Sequence, residues 1–362
     1  MNGQVKNHCK QSRNVAFDIL RLAAMLMVTM LHITGHGLQE TQMEPFSGTY
    51  WIALFLNAFS LVAVNCFVLI SGYFLSAQTI STKKLAALWL QVWTYSVMVY
   101  VILCLIPGVD VQFRLSTLVE CLCPLLSNQY WFFTCYFLLY LIAPILNKLA
   151  QSWDQKEYRN ALAVLLIVFS LIPSVNIWGD SFGTNRGYSL IWFAILYLIA
   201  AYLRKFDFRS PVHPAVVYLI PCAALCILQA VVSLFNPDIG SVQELLDNQC
   251  SYNGPLVLCA SIGLFVWARS APPKTGKGSA KIITTMASLS FGIYLLHDHG
   301  SIRTVLWNDW VCLKDTTANS GAFLFRIILV LIILFVVGLA AEFVRQKVMA
   351  GIRRILYGRN KI

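Results

Sequence analysis

The sequence predicts an all-α fold, a polytopic membrane helix bundle of about ten transmembrane helices with both termini cytoplasmic, and three observations carry that prediction. Of 362 residues, 58% are hydrophobic and 12% charged, with a mean hydropathy of +0.67; a water-soluble domain carries roughly 25% charged residues. Apolar runs of spanning length, roughly 17 to 25 residues, recur along the whole chain. The basic residues fall almost entirely on one side of those runs. A surface this apolar is stable only against lipid, which excludes a nucleic-acid-binding protein, a disordered chain and a secreted disulfide scaffold.

The runs lie at 15–36, 51–75, 85–106, 130–149, 161–178, 188–204, 214–235, 252–269, 283–306 and 320–343. With a cytoplasmic N-terminus, 21 of the 27 Lys and Arg residues fall on the inside, the clusters Lys83–Lys84 and Lys274 to Lys281 among them. Only Arg114, Arg186, Arg303 and Lys314 fall outside, and Arg21 and Arg326 sit within helices. This asymmetry is the positive-inside signature and demands an even number of spans. The net charge of +11 is therefore read as orientation rather than as a patch for an anionic partner. A segment 1–14 and a basic tail 349–362 flank a transmembrane domain over 15–348.

The polar start through Arg13 leads into an apolar stretch too long for a signal h-region, so the first helix is expected to stay as a signal anchor. The eleven cysteines have no CxxC pairing of a zinc or redox site and read as small buried hydrophobes. Cys250 and Cys312, both outside, form a candidate disulfide pair in an oxidising periplasm. Phe113 to Leu126 is too short to span and is expected to lie in the interface or re-enter. No internal repeat of the kind built into many transporters is visible.

An ionisable side chain in a span costs on the order of 2.5 to 3.5 kcal/mol at its centre, so each needs a reason. The first helix contains Asp18, Arg21 and His32. Eleven residues return a helix to nearly the same face, so Arg21 and His32 share a stripe about 16 Å long. Asp18, one turn before Arg21, can pair with it. A snorkelling Arg21 and an interfacial His32 are the bland readings; a polar path inside the bundle explains both together. Imidazole exchanges a proton near neutral pH, and guanidinium holds phosphate or carboxylate in a fixed fork. Asn65, Ser71 and Gly72 read first as helix-packing residues, with Ser71 a nucleophile only if His32 reaches it. Tyr130 to Phe133 reads by default as an aromatic belt. His297, Asp298 and His299 offer a metal-like spacing without further clustered ligands, so no metal is expected; His297 is expected to face the bundle and His299 its outer edge.

Taken in order, Asp18-Ile19-Leu20-Arg21-Leu22 with the Arg, ten residues, His spacing to His32, then Phe67 to Tyr73, Tyr130 to Phe133 with Tyr140 to Asn147, and Phe291 to His297, resemble the integral-membrane acyltransferase family, the acyltransferase-3 group. The resemblance spans nearly the whole chain and is nearest to bacterial enzymes that O-acetylate capsule, O-antigen or exopolysaccharide. It implies a multi-pass protein of the bacterial inner membrane that moves acetyl from cytoplasmic acetyl-CoA to a glycan or lipid-linked glycan hydroxyl. No permanently bound cofactor and no nucleic acid are implied; membrane lipids and polysaccharide-synthesis machinery are the expected partners.

On that reading His32 is the general base and Arg21 orients the site or holds the donor. Asp18, Ser71, Trp131, Tyr294 and His297 contact substrate, and Lys83 and Lys84 join Arg21 on the acyl-CoA. The chain departs from some members, which carry an Arg-x-x-Arg motif after the second helix where only Lys83-Lys84 stands here, and it has no appended hydrolase-like domain. The competing reading is a transporter or flippase for a glycan precursor or small solute, with the same stripe as its solute path.

Overall fold

The computed structural model describes residues 14–38, 43–79, 81–179, 182–234, 240–270 and 275–357. The basic residues Lys6, Lys10, Arg13, Lys274, Arg359 and Lys361 lie outside the described residues. The described residues form helices joined by turns and loops and contain no strand. In chain order the helices are α1 (Val15–Gly35), α2 (Gly48–Ser60), α3 (Ala63–Leu75), α4 (Thr82–Leu105), α5 (Leu115–Leu122), α6 (Trp131–Ser152) and α7 (Gln155–Val175). They continue with α8 (Leu190–Lys205), α9 (Pro214–Leu234), α10 (Gly240–Gln249), α11 (Pro255–Ser270), α12 (Lys277–Leu289), α13 (Phe291–His297), α14 (Gly300–Thr304) and α15 (Ser320–Tyr357).

Eight helical stretches among the described residues have the length and apolarity to cross a membrane, against the ten expected. The other two of the expected set, α8 and α11, have 16 residues each. That is about 24 Å of helix, short of a hydrocarbon core of roughly 30 Å. α8 is nevertheless apolar on nearly every side because protein surrounds it: Trp192, Phe193, Leu196 and Tyr197 are wholly buried. The expected single span 51–75 is two helices, α2 and α3, broken at Leu61 and Val62. The expected span 283–306 ends early, at His297. α15 runs 38 residues, about 57 Å, past the expected boundary at 348.

The core forms where α1 packs on α2, α3, α11 and α12, and where α3 and α6 pack on α8. Asn14 starts α1 by accepting from the Ala16 amide at 3.0 Å. Gly72 lets α3 approach α8 closely, since a Cβ there would stand 2.9 Å from the Tyr197 Cα. Asn65 ties three elements together, taking the Trp192 indole N–H at 3.1 Å and donating to the Tyr252 carbonyl at 2.8 Å and to Ser261 at 3.2 Å. Large apolar side chains such as Leu105, Ile145, Ile220 and Ile332 lie on the outside, where lipid would meet them. α5 is an eight-residue helix with one buried residue, Cys121, in keeping with a segment that does not span.

The basic residues at the Arg21 end cap helices. Lys205 donates to the carbonyls of Ala150, Gln151 and Trp153 at the end of α6, and Arg204 to Tyr73 at 2.7 Å. Arg269 donates to Leu203 at 2.9 Å and also to Phe208. Carbonyls in the last turn of a helix lack the next intrahelical donor, so these charges close the ends of α3, α6 and α8.

Candidate active site

Arg21 stands on a buried carboxylate. Its Nη1 donates to Asp18 Oδ1 at 2.8 Å, Asp18 is fully buried, and the second carboxylate oxygen accepts from Thr284 Oγ1 at 3.0 Å. The guanidinium lies 5.8 Å from the Phe74 ring and borders a cavity of about 1070 Å³. Ser71, Gln78, Lys84, Tyr136 and Arg269 share that cavity. Its volume is at the upper end of small-molecule sites, roughly 300 to 1,000 Å³.

Further along the same helix, His32 borders a second, narrow cavity of about 40 Å³ with Val28, Phe67, Trp131, Tyr252 and Tyr294. Three helices pass from one cavity to the other. Arg21 and His32 on α1, Ser71 and Phe67 on α3, and Tyr136 and Phe132 on α6 line the large and the small cavity respectively. Phe132 stacks on Tyr136 with centroids 5.8 Å apart and meets Phe67 at 6.1 Å, so aromatic rings stand where the two cavities adjoin.

The polarity of His32 follows from its hydrogen bonds. His297 Nδ1 lies 2.6 Å from the Ile293 carbonyl, which only accepts, so in the neutral ring Nδ1 carries the proton and Nε2 the lone pair. His297 Nε2 is 2.8 Å from His32 Nδ1 and takes that proton as a hydrogen bond. His32 is left with a lone pair on Nε2, the state a general base requires. The expected inward face of His297 is thus realised, and the ring is wholly buried.

His299, also fully buried rather than on an outer edge, turns away. Its Nε2 lies 2.9 Å from the Ser96 carbonyl and its Nδ1 accepts from the Ser301 amide at 3.0 Å. His297 and His299 therefore do not converge as metal ligands. His32, His36 and Asp298 do bring one donor atom each within 4.8 Å of one another. The Arg303 guanidinium, 3.0 Å from the same Asp298 oxygen, already neutralises the carboxylate, and His32 Nδ1 is engaged with His297. This donor set suits an ion-pair network better than a divalent ion.

One further expectation is corrected. Tyr130 and Trp131 do not form a lipid-facing belt: Tyr130 is wholly buried, with its hydroxyl on the Leu295 carbonyl at 2.8 Å. Trp131 packs at 4.4 Å on Tyr188 and stacks at 5.9 Å on Tyr252. Ser71 bonds the Phe67 carbonyl one turn back at 2.8 Å and lines the cavity of Arg21 rather than that of His32, which leaves it no base. Lys83 and Lys84 are both exposed, and Lys84 alone of the two lines the large cavity. Cys250 and Cys312 are free thiols.

Sequence reasoning missed Asp298 as part of this site, along with His36 and Arg303. Asp298 Oδ1 lies 3.9 Å from His32 Nδ1 and 4.0 Å from His36 Nε2. Its place between two histidines was the available signal, read as a metal spacing; Arg303 was counted only as an outer charge. Arg269 and Tyr136, which line the large cavity, carried no signal beyond topology and hydrophobicity.

A family model described as an acyltransferase domain matches residues 14–342. The match includes both cavities and the residues that border them, from Asn14 to Tyr294. No curated protein and no solved structure matches the chain.

Proposed function

The chain belongs to the acyltransferase-3 family, and from that premise we propose that it is an O-acetyltransferase that takes acetyl from acetyl-CoA and esterifies a hydroxyl of a cell-envelope or exported polysaccharide. The observation that carries the reading is the pair of adjoining cavities on one stripe of α1, Arg21 in the large one and His32 in the small one.

The large cavity suits the charged part of the donor. Arg21 and Lys84 offer positive charge to phosphates, Arg21 with fork geometry already oriented by Asp18 and Lys84 as a point charge. The pantetheine arm then runs along α1, and the thioester reaches the narrow cavity. There the Nε2 lone pair of His32 accepts the proton of the acceptor hydroxyl while that oxygen attacks the thioester carbonyl carbon. Collapse of the tetrahedral intermediate breaks the carbon–sulfur bond, and the leaving thiolate takes the proton from His32. Trp131 and Tyr294 border the small cavity beside His32, where the acceptor would lie.

Such a protein works in the bacterial inner membrane beside polysaccharide-synthesis machinery, with the donor on the cytoplasmic side. Family membership speaks against the transporter or flippase reading of the same stripe. The test supplies radiolabelled acetyl-CoA to membranes that contain wild-type protein or His32→Ala and follows label into surface glycans. Label that depends on His32 is expected; equal incorporation by the variant overturns the role of His32. Flux of glycan or solute by the wild type without any label transfer overturns the enzyme.

A further inference from the structure

The turn that ends α13 places a carboxylate beside the histidine pair. His297 is the last residue of α13, and the Asp298 amide bonds back to the Tyr294 carbonyl at 3.0 Å. His299 then caps α14 through the Ser301 amide. The chain so broken points Asp298 at α1, with its side chain 3% exposed. Arg303, in α14, reaches back with Nη2 to the Asp298 carboxylate at 3.0 Å and to its carbonyl at 3.3 Å. On the other side stand His32 Nδ1 at 3.9 Å and His36 Nε2 at 4.0 Å.

We propose that Asp298 is a positioning residue for acyl transfer: its carboxylate, held by Arg303, offsets the positive charge that His32 acquires when Nε2 takes the acceptor proton. This rests on the reading of His32 as general base. The charge count supports it. With neutral histidines, Asp298 and Arg303 cancel, so the resting cluster carries no net charge into its buried surroundings. When His32 takes a proton, the new charge appears within 4 Å of a carboxylate and within 3 Å of His297 Nε2, and opposite charge at that range favours the protonated form. Arg303 acts in the contrary sense, since it draws on the same oxygen.

Other ionisable groups near these charges are His36 and His299, and the tyrosines Tyr130, Tyr188, Tyr252 and Tyr294, which approach Asp298 from the segments before α6, α8 and α11 and from α13. His36 adds charge only when protonated.

The test measures transfer of label from radiolabelled acetyl-CoA, in membranes containing the full chain, as a function of pH for wild type, Asp298→Asn and Arg303→Gln. Asp298→Asn is expected to lower the plateau rate on the order of 100-fold with little change in KM for acetyl-CoA. It should also move the acid limb of the profile down by about one pH unit, because His32 loses the charge that favours its protonation. Arg303→Gln is expected to move the same limb up, because the freed carboxylate favours protonation more strongly.

A purely structural role moves neither limb. An Asp298→Asn protein that stays monodisperse, transfers within about twofold of wild type and keeps its acid limb overturns the proposal, as do limbs that shift in one direction for both variants. Should Asp298→Asn fail to fold, the limb of Arg303→Gln decides alone. Loss of activity in His32→Ala with an unmoved Asp298→Asn profile sinks only this proposal; full activity in His32→Ala sinks the reading on which it rests.

Discussion

His32 on α1 and His297 at the end of α13 share one hydrogen bond, Nδ1 to Nε2 at 2.8 Å, and the Ile293 carbonyl at the far side of His297 sets its direction. The pair is not symmetric. His297 accepts, His32 donates, and the lone pair left on His32 Nε2 is the group available as a base.

Truncation of His297 is therefore expected to act through His32. His297→Ala removes the acceptor that orients the ring and should lower acyl transfer on the order of 100-fold. His297→Gln, whose amide oxygen can still accept from Nδ1, should recover at least a tenth of the wild-type rate. Label transfer from acetyl-CoA in membranes checks both, and equal loss in the two variants defeats the oriented pair.

Arg21 carries two duties that separate in a double variant. Arg21→Ala removes the guanidinium that pairs with the buried Asp18 carboxylate, at a cost of about 1 to 3 kcal/mol, and should raise KM for acetyl-CoA roughly tenfold. Adding Asp18→Asn removes the charge that Arg21 balanced and should restore the thermal midpoint while KM stays high. A KM that recovers together with the midpoint means Arg21 only supports the fold.

Adjacent lysines should behave differently. Lys84 borders the large cavity and Lys83 does not. Lys84→Ala is expected to raise KM for acetyl-CoA about two- to fivefold, with a slope against salt that flattens as a phosphate contact is lost. Lys83→Ala should leave both unchanged; equal effects would show a diffuse surface charge instead of a contact.

The ring pair between the cavities offers a steric test. Phe67 and Phe132 line the small cavity and Tyr136 the large one. Phe67→Trp thickens the partition and is expected to lower kcat at least tenfold with KM for acetyl-CoA nearly unchanged, since the arm and not the phosphates would be obstructed. A rise in KM at constant kcat contradicts the proposed path of the donor.

Packing of α3 on α8 is tight at Gly72. A Cβ there would also stand 3.1 Å from the Ala200 Cβ, and backbone atoms cannot move aside as a flexible side chain can. Gly72→Ala is expected to cost about 1 to 3 kcal/mol, read as a lower thermal midpoint in detergent. An unchanged midpoint would mean that the two helices separate without penalty.

Much of the site was legible in residues that break the hydropathy pattern. Asp18, Arg21 and His32 were visible because a charge in an apolar run needs a reason, and the helical period put two of them on one face. Gly72 and Asn65 were read correctly as packing residues for the same cause. Lys83 and Lys84 were indistinguishable, because neighbouring residues on a helix differ by about 100° in direction and only the facing cavity separates them. The two 16-residue helices read like the longer ones, since apolarity reports burial without reporting whether lipid or protein covers the surface.

The sequence by itself determined that the chain is a helical membrane protein, that its positive charge gathers at one end, and that Arg21 and His32 lie on one stripe. Composition and helical period are properties of a local stretch, so a single helix is enough to read them. The tertiary structure alone decided which groups meet that stripe. His297 lies 265 positions from His32 in sequence, and Asp298 reaches the pair only because α13 ends one residue before it. Contacts of that range depend on how whole helices pack and where they break, and no local pattern encodes them.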